Sequence, residues 1–90
     1  MIEVRRTREF LKWMGGLRDG RTQRAIAARI DRLARGNPGD VKPVGYGVSE
    51  LRISFGGYRV YYVQRGHVLI VLLCVAIKTA RMLILQGLMR

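Results

Sequence analysis

Residues 50–74 read ELRISFGGYRVYYVQRGHVLIVLLC, a pattern that predicts three antiparallel strands joined by two tight turns. In the first predicted strand an apolar set alternates with a polar set: Leu51, Ile53 and Phe55 against Glu50, Arg52 and Ser54. This period of two is typical of a strand with one buried face. Gly56-Gly57 and Arg65-Gly66 supply the turns, because glycine adopts positive φ without steric cost.

The polar side of these strands predicts a cationic surface. If the first loop runs from Phe55 to Tyr58, Ser54 lies opposite Arg59. In the same register Arg52 lies opposite Tyr61, so that all four side chains share one face. Guanidinium groups beside an aromatic ring suit a polyanionic partner.

Composition and charge narrow the class of protein. The 90 residues predict a single domain over 1–90, with 17 basic and six acidic residues and a net charge of +11. All six acids lie in the first fifty positions: Glu3, Glu9, Asp19, Asp31, Asp40 and Glu50. So positive a chain favours nucleic acid or an acidic protein as its partner, ahead of an anionic membrane.

Targeting, membrane and metal signals are weak in this sequence. The N-terminus is charged from its third residue and has no secretory pattern. The apolar run 68–77 is about half the ~20 residues that a membrane helix needs. Cys74 is the single cysteine, which predicts a buried thiol in a reducing cytosol rather than a disulfide or metal site. We therefore expect a cytoplasmic protein without metal or small-molecule cofactor.

The remainder of the chain predicts an α+β domain. A short strand covers 2–5, and a helix capped by Thr7 ends near Asp19-Gly20. A second helix covers about 22–34, with Ile26, Ile30 and Leu33 as its core stripe. A loop at 37–43 precedes the three strands, and 79–89 could form a last helix. The predicted order is β-α-α-β-β-β-(α), with two N-terminal helices packed on a mostly antiparallel sheet.

Four segments carry a family resemblance: NPGDVKPV at 37–44, SELRI at 49–53, GYRVYYVQRG at 57–66 and VLIVLLC at 68–74. Together they resemble the HigB-like branch of the RelE/ParE toxins, the addiction module killer proteins of type II toxin–antitoxin systems. The resemblance covers Ile2 to about Cys74. It implies a RelE-like fold, an endoribonuclease that cleaves mRNA on the ribosome, and neutralisation by a cognate antitoxin.

Two other functions stay open at this point. ParE relatives share the fold but inhibit DNA gyrase without chemistry, so fold alone does not fix function. A plain basic nucleic-acid-binding module would also account for the charge. Cleavage of ribosome-bound mRNA separates the first function from both alternatives.

The resemblance also implies catalytic residues. A RelE-like enzyme promotes attack of a ribose 2′-hydroxyl on the adjacent phosphate. Arg59 matches the family arginine that contacts the scissile phosphate, and Arg52 matches a basic strand position. Lys78 is the candidate base, provided that it folds back toward the two arginines. The alternative for each residue is a solvated surface cation.

Further residues are candidates for RNA contacts. Tyr61 could stack on a base, while Lys42 and Arg65 could touch backbone phosphates or be ordinary solvated cations. The antitoxin, an acidic or helix-turn-helix protein, is expected to lay an acidic segment across Arg52, Arg59 and the first helices.

The tail at 75–90 departs from the family pattern. Relatives continue after the cysteine with CGGDK, whereas this chain continues VAIKTARMLILQGLMR. If the reading frame moves by one base, permitted codons for these residues also encode GGDKDSQDADIARADA. We therefore hypothesise a frameshifted C-terminus, which predicts a poorly soluble or weakly toxic protein. The alternative is a diverged but selected apolar helix.

Overall fold

A computed structural model of the chain describes residues 2–53 and 57–76. In chain order its elements are β1 (Glu3–Arg6), α1 (Arg8–Gly16), α2 (Gly20–Ala34), β2 (Val41–Gly45), β3 (Val48–Arg52), β4 (Tyr58–Arg65) and β5 (Val68–Ala76). The strands form a five-stranded sheet in the order β1-β5-β4-β3-β2. The β1–β5 pair is parallel and the other three pairs are antiparallel. The predicted α+β class and mostly antiparallel sheet are therefore confirmed.

The predicted order of elements was wrong by one strand. The loop predicted at 37–43 overlaps β2, which pairs with β3 and places Lys42 opposite Glu50. Pro43 made a strand difficult to predict, because proline cannot donate a ladder hydrogen bond. It is tolerated here because β2 is an edge strand. The last helix predicted at 79–89 lies outside the described residues.

Each helix is capped at its N-terminus by a polar side chain, Thr7 for α1 and Asp19 for α2. The Thr7 hydroxyl accepts from the Phe10 N–H and donates to the Leu72 carbonyl, which ties the start of α1 to β5. Asp19 caps α2 by accepting from the Arg21 N–H. The hydrogen bond that Asp19 accepts from the Thr22 hydroxyl is the largest cause of its lowered pKa. Such caps satisfy amide groups that the first helical turn leaves free.

The core lies between the helices and one face of the sheet, called here the inner face. The predicted stripe of α2, Ile26, Ile30 and Leu33, is buried against it. The strands contribute Leu51, Val60, Tyr62, Leu69, Val71 and Cys74, and Ile53, directly after β3, joins them. Cys74 is a buried free thiol, as predicted, and burial raises its pKa to about 12. Among the described residues, no helix has the length and apolarity to cross a membrane.

The β3–β4 register differs from the predicted one by two residues. Arg52 lies opposite Arg59, and Glu50 lies opposite Tyr61. Because side chains alternate with a period of two, this shift leaves every residue on its predicted face. The shift changes which groups meet across the strands.

Candidate anion-binding site

The sheet face opposite the helices, called here the outer face, gathers polar residues from three adjacent strands. The register of β2, β3 and β4 aligns Lys42, Glu50 and Tyr61 in one row. Arg52 and Arg59 form the next row. We call Glu50, Arg52, Arg59 and Tyr61 the outer-face cluster.

Glu50 lies at the centre of this cluster. Its Oε1 is 3.3 Å from Arg52 Nε and 3.5 Å from Arg59 Nε. Its side chain is only 10% exposed. Like charges directly opposite each other destabilise a strand pair, so the carboxylate offsets the repulsion between the facing guanidinium groups.

Glu50 is a site residue that sequence reasoning missed. Its alternation with Arg52 indicated that the two share a face. Nothing in the sequence placed it against Arg59 and Tyr61, because those contacts depend on the β3–β4 register.

The two arginines differ in access to solvent. The Arg52 side chain is 38% exposed and has a second carboxylate, that of Asp40, at 3.9 Å. The Arg59 side chain is only 17% exposed, and its Nη1 donates to the Tyr58 carbonyl at 3.2 Å. Arg52 is therefore the guanidinium more open to an incoming anion.

Tyr61 does not fit its predicted role. It is fully buried, and its hydroxyl donates to Glu50 Oε2 at 3.0 Å. Burial, followed by the interaction with Glu50, raises the pKa of the Tyr61 hydroxyl, which therefore stays protonated. Its ring cannot stack on an RNA base, so the prediction of base stacking was wrong. Alternation along β4 indicates the face on which Tyr61 lies, but not how deeply its ring is covered.

Of the other predicted site residues, one lies beside the outer-face cluster, one lies far from it, and one lies outside the described residues. Lys42 is exposed on β2 in the same row as Glu50, so the structure brings it to the cluster. Arg65 lies at the far end of β4, six residues or about 20 Å along the strand from Arg59. The structure therefore does not bring Arg65 to the cluster. Lys78 lies outside the described residues.

The described residues contain no group of three His, Cys, Asp or Glu side chains placed to hold a metal ion.

A further surface feature missed from sequence is Tyr46, in the turn between β2 and β3. It is 76% exposed with a φ of 56°, between two glycines that also have positive φ. The Gly-Tyr-Gly triplet signals a turn, but not an exposed aromatic ring.

The chain is similar in sequence to a protein of Haemophilus influenzae. That protein, described only as uncharacterized, is 46% identical over 74 residues. The match covers 81% of this chain and 75% of that protein. This chain belongs to the same family as the Haemophilus influenzae protein. No protein-family model matches the chain.

Two solved structures from Helicobacter pylori share the fold. The crystal structure of a copper-bound mutant toxin superposes with a TM-score of 0.67 and 16% identity, covering 88% of this chain and 98% of the toxin. The solution structure of a conserved hypothetical protein gives a TM-score of 0.55 and 19% identity, covering 82% and 92%. At these identities the likeness is one of fold. The chain therefore shares its fold with that Helicobacter pylori toxin.

Proposed function

We propose that this chain is the toxin of a type II toxin–antitoxin pair, of the HigB-like branch, and that it acts as a ribosome-dependent mRNA interferase. The observation that carries the proposal is the outer-face cluster. Arg52 and Arg59 lie directly opposite each other on adjacent strands, and one carboxylate contacts both. The fold shared with a Helicobacter pylori toxin supports the assignment.

The proposed reaction is an internal transfer at phosphorus. The ribose 2′-oxygen loses its proton and bonds to the adjacent phosphorus, and the 5′-oxygen of the next nucleotide leaves with a proton. Negative charge grows on the non-bridging oxygens, where planar guanidinium forks can donate paired hydrogen bonds. Glu50 holds both arginines through Nε, which directs the remaining donors of Arg52 away from the carboxylate. Glu50 is thus a positioning residue for both.

Lys78 is the proposed proton acceptor, as the family resemblance predicts. Both carboxylate oxygens of Glu50 are already engaged, Oε1 by Arg52 and Arg59 and Oε2 by Tyr61, so Glu50 positions the arginines and does not take the proton. Lys42 would hold the RNA backbone next to the cluster, and Arg65 would contact a phosphate about 20 Å away.

The altered tail at 75–90 is part of the proposal. What supports it is the departure of VAIKTARMLILQGLMR from the family pattern after Cys74. We propose that a one-base frameshift replaced a CGGDK-type ending. Reading the coding DNA tests this: if no one-base change restores that ending, the frameshift hypothesis is wrong.

The test of function is cleavage of mRNA on translating ribosomes, with a tail-restored version to raise activity. Arg59→Ala should lower the cleavage rate on the order of 10²–10³-fold if Arg59 holds the transition-state phosphate. Arg59→Lys should recover only part of the rate, because an ammonium cannot make two parallel hydrogen bonds. The matched control is Arg24→Ala, which removes an exposed arginine from α2, on the helical layer away from the cluster.

The outcomes separate the candidate functions. Cleavage by Arg59→Ala at the parent rate would remove Arg59 from the mechanism. Intact mRNA together with blocked DNA gyrase would replace the proposal with the ParE-like alternative. Because the Arg59 side chain is mostly covered, circular dichroism of each variant must show a folded protein.

A further inference from the structure

An open groove runs along α1, on the helical layer and away from the outer-face cluster. Its lining residues are Glu9, Lys12, Trp13, Gly16 and Leu17. Trp13 and Leu17 are half-buried and pack on the core, so they form an apolar floor. The Trp13 ring meets the Tyr58 ring edge to face, with centroids 5.5 Å apart and planes at 72°. This contact holds the floor of the groove in place.

Two glycines of α1 have no packing role among the described residues that would require glycine. Gly15 and Gly16 are helical and exposed, and a Cβ atom at either would meet no atom of the described residues within 4 Å beyond its own stretch of helix. Neither has positive φ. Glycine is the poorest helix former after proline. The helix therefore loses stability here without gaining internal packing, and its surface beside the groove stays smooth enough for another backbone to approach closely.

The charges around the groove are open to a partner. Arg8, Lys12 and Arg18 are exposed, and none forms an ion pair within the described part of the chain. By contrast, the nearby carboxylate of Asp19 is already engaged by Thr22 and the Arg21 N–H. The surroundings thus match an acidic ligand, and the apolar floor matches an aliphatic or aromatic side chain.

We propose that this groove binds an acidic amphipathic helix of the antitoxin. Its backbone crosses α1 at Gly16, one apolar anchor enters between Trp13 and Leu17, and its carboxylates meet Arg8, Lys12 and Arg18. The identity of the partner rests on the proposed function. RNA fits the groove less well, because its floor is apolar and its rim carries Glu9. An antitoxin helix bound in this groove would not itself contact the outer-face cluster.

The test measures binding of the full chain to the purified product of the neighbouring gene by calorimetry. Gly16→Gln fills the space at the helix surface with a better helix former, so it should raise the melting temperature by about 4 °C. The same change should weaken binding by about tenfold or more, because it obstructs close approach. Stability and affinity should thus move in opposite directions. The matched control is Ala27→Gln, an exposed position of α2, which should leave affinity within about twofold of the parent.

A second pair of variants tests the basic charges of the groove and the independence of the two sites. Lys12→Glu should weaken binding and flatten its dependence on salt, because it opposes the acidic ligand. Arg59→Ala should lose mRNA cleavage yet bind the neighbouring protein within a few-fold of the parent.

Each result bears on a distinct claim. Parent affinity in both Gly16→Gln and Lys12→Glu would overturn the groove while leaving the toxin function intact. Loss of binding in Arg59→Ala alone would move the main contact to the outer face. No binding by the parent chain would overturn the groove's assigned partner, while its mRNA cleavage, measured separately, would still decide the proposed reaction.

Discussion

Adjacent residues of one strand lie on opposite faces of the sheet and have different roles there. In β3, Leu51 faces inward and is fully buried, while Arg52 faces outward and forms two ion pairs. In β4, Val60 is buried against the inner core, while Arg59 pairs with Glu50. The inner face therefore supplies burial of apolar surface, and the outer face supplies oriented charge. One hairpin thus supports both the stability and the candidate chemistry.

The outer face is nevertheless not a simple solvated surface. Tyr61 is fully buried there, and Glu50 is nearly so. Burial of polar groups is tolerated when they are hydrogen-bonded, and Tyr61 and Glu50 bond to each other. Within the described residues, no buried side-chain nitrogen or oxygen lacks a partner. The two faces therefore differ in how their buried groups interact. Apolar side chains pack together on the inner face, and polar side chains form hydrogen bonds on the outer face.

The largest expected effect comes from the inner face. Leu51→Ala should lower the free energy of unfolding by about 2–5 kcal/mol, because it removes a fully buried side chain and leaves a cavity. Urea denaturation followed by circular dichroism measures this. A loss below about 1 kcal/mol would mean that the inner face does not carry the core.

Alkaline pH should lower the stability of the fold through a buried thiol of the inner face. Burial raises the folded-state pKa of Cys74 to about 12, well above the usual value for a cysteine thiol. The buried, protonated thiol therefore contributes fully to the free energy of unfolding below pH 9. As the pH rises from 9 toward 12 this contribution is lost, at up to about 1.4 kcal/mol per pH unit. Urea midpoints between pH 8 and 10, with reductant present, should fall for the parent. They should fall less for Cys74→Ala, and equal slopes would contradict the burial argument.

A smaller effect is expected from the hydrogen bond on the outer face. Tyr61→Phe should cost about 1 kcal/mol of stability at neutral pH, because it removes the bond to Glu50. Since the raised pKa of Tyr61 favours the folded state below pH 10, the variant should also lose less stability above that pH. Tyr62→Phe is the matched control, because Tyr62 faces inward and its hydroxyl makes no hydrogen bond with the described residues. An equal cost in the two variants would remove the special role of the Glu50 contact.

The smallest stability effect should come from Arg52→Ala. Its side chain is partly exposed, and such ion pairs contribute about 0–1 kcal/mol. The variant should therefore unfold within about 1 kcal/mol of the parent while cleaving mRNA much more slowly. A loss as large as that of Leu51→Ala would show that the outer-face cluster holds the fold together and would end the division between the faces.

Local signals in the sequence accounted for much of the fold. Thr7 caps α1 and the stripe Ile26, Ile30 and Leu33 is buried, both as predicted. Asp19, predicted only to end the first helix, also caps α2. Strand β2 was missed because its proline weakens the local signal, although pairing with β3 still forms the strand. Local propensity is a weak guide where edge pairing decides.

What the sequence determined by itself is the face on which Arg52 and Arg59 lie. That follows from the period of two along a strand and survives a register error of two residues. Only the tertiary structure decided which groups meet on that face: Glu50 between both arginines, the buried Tyr61 bonded to Glu50, and Lys42 in the same row. The physical reason is that face depends on alternation within one strand. Contact depends on register and burial, which are set by strands brought together from distant parts of the chain.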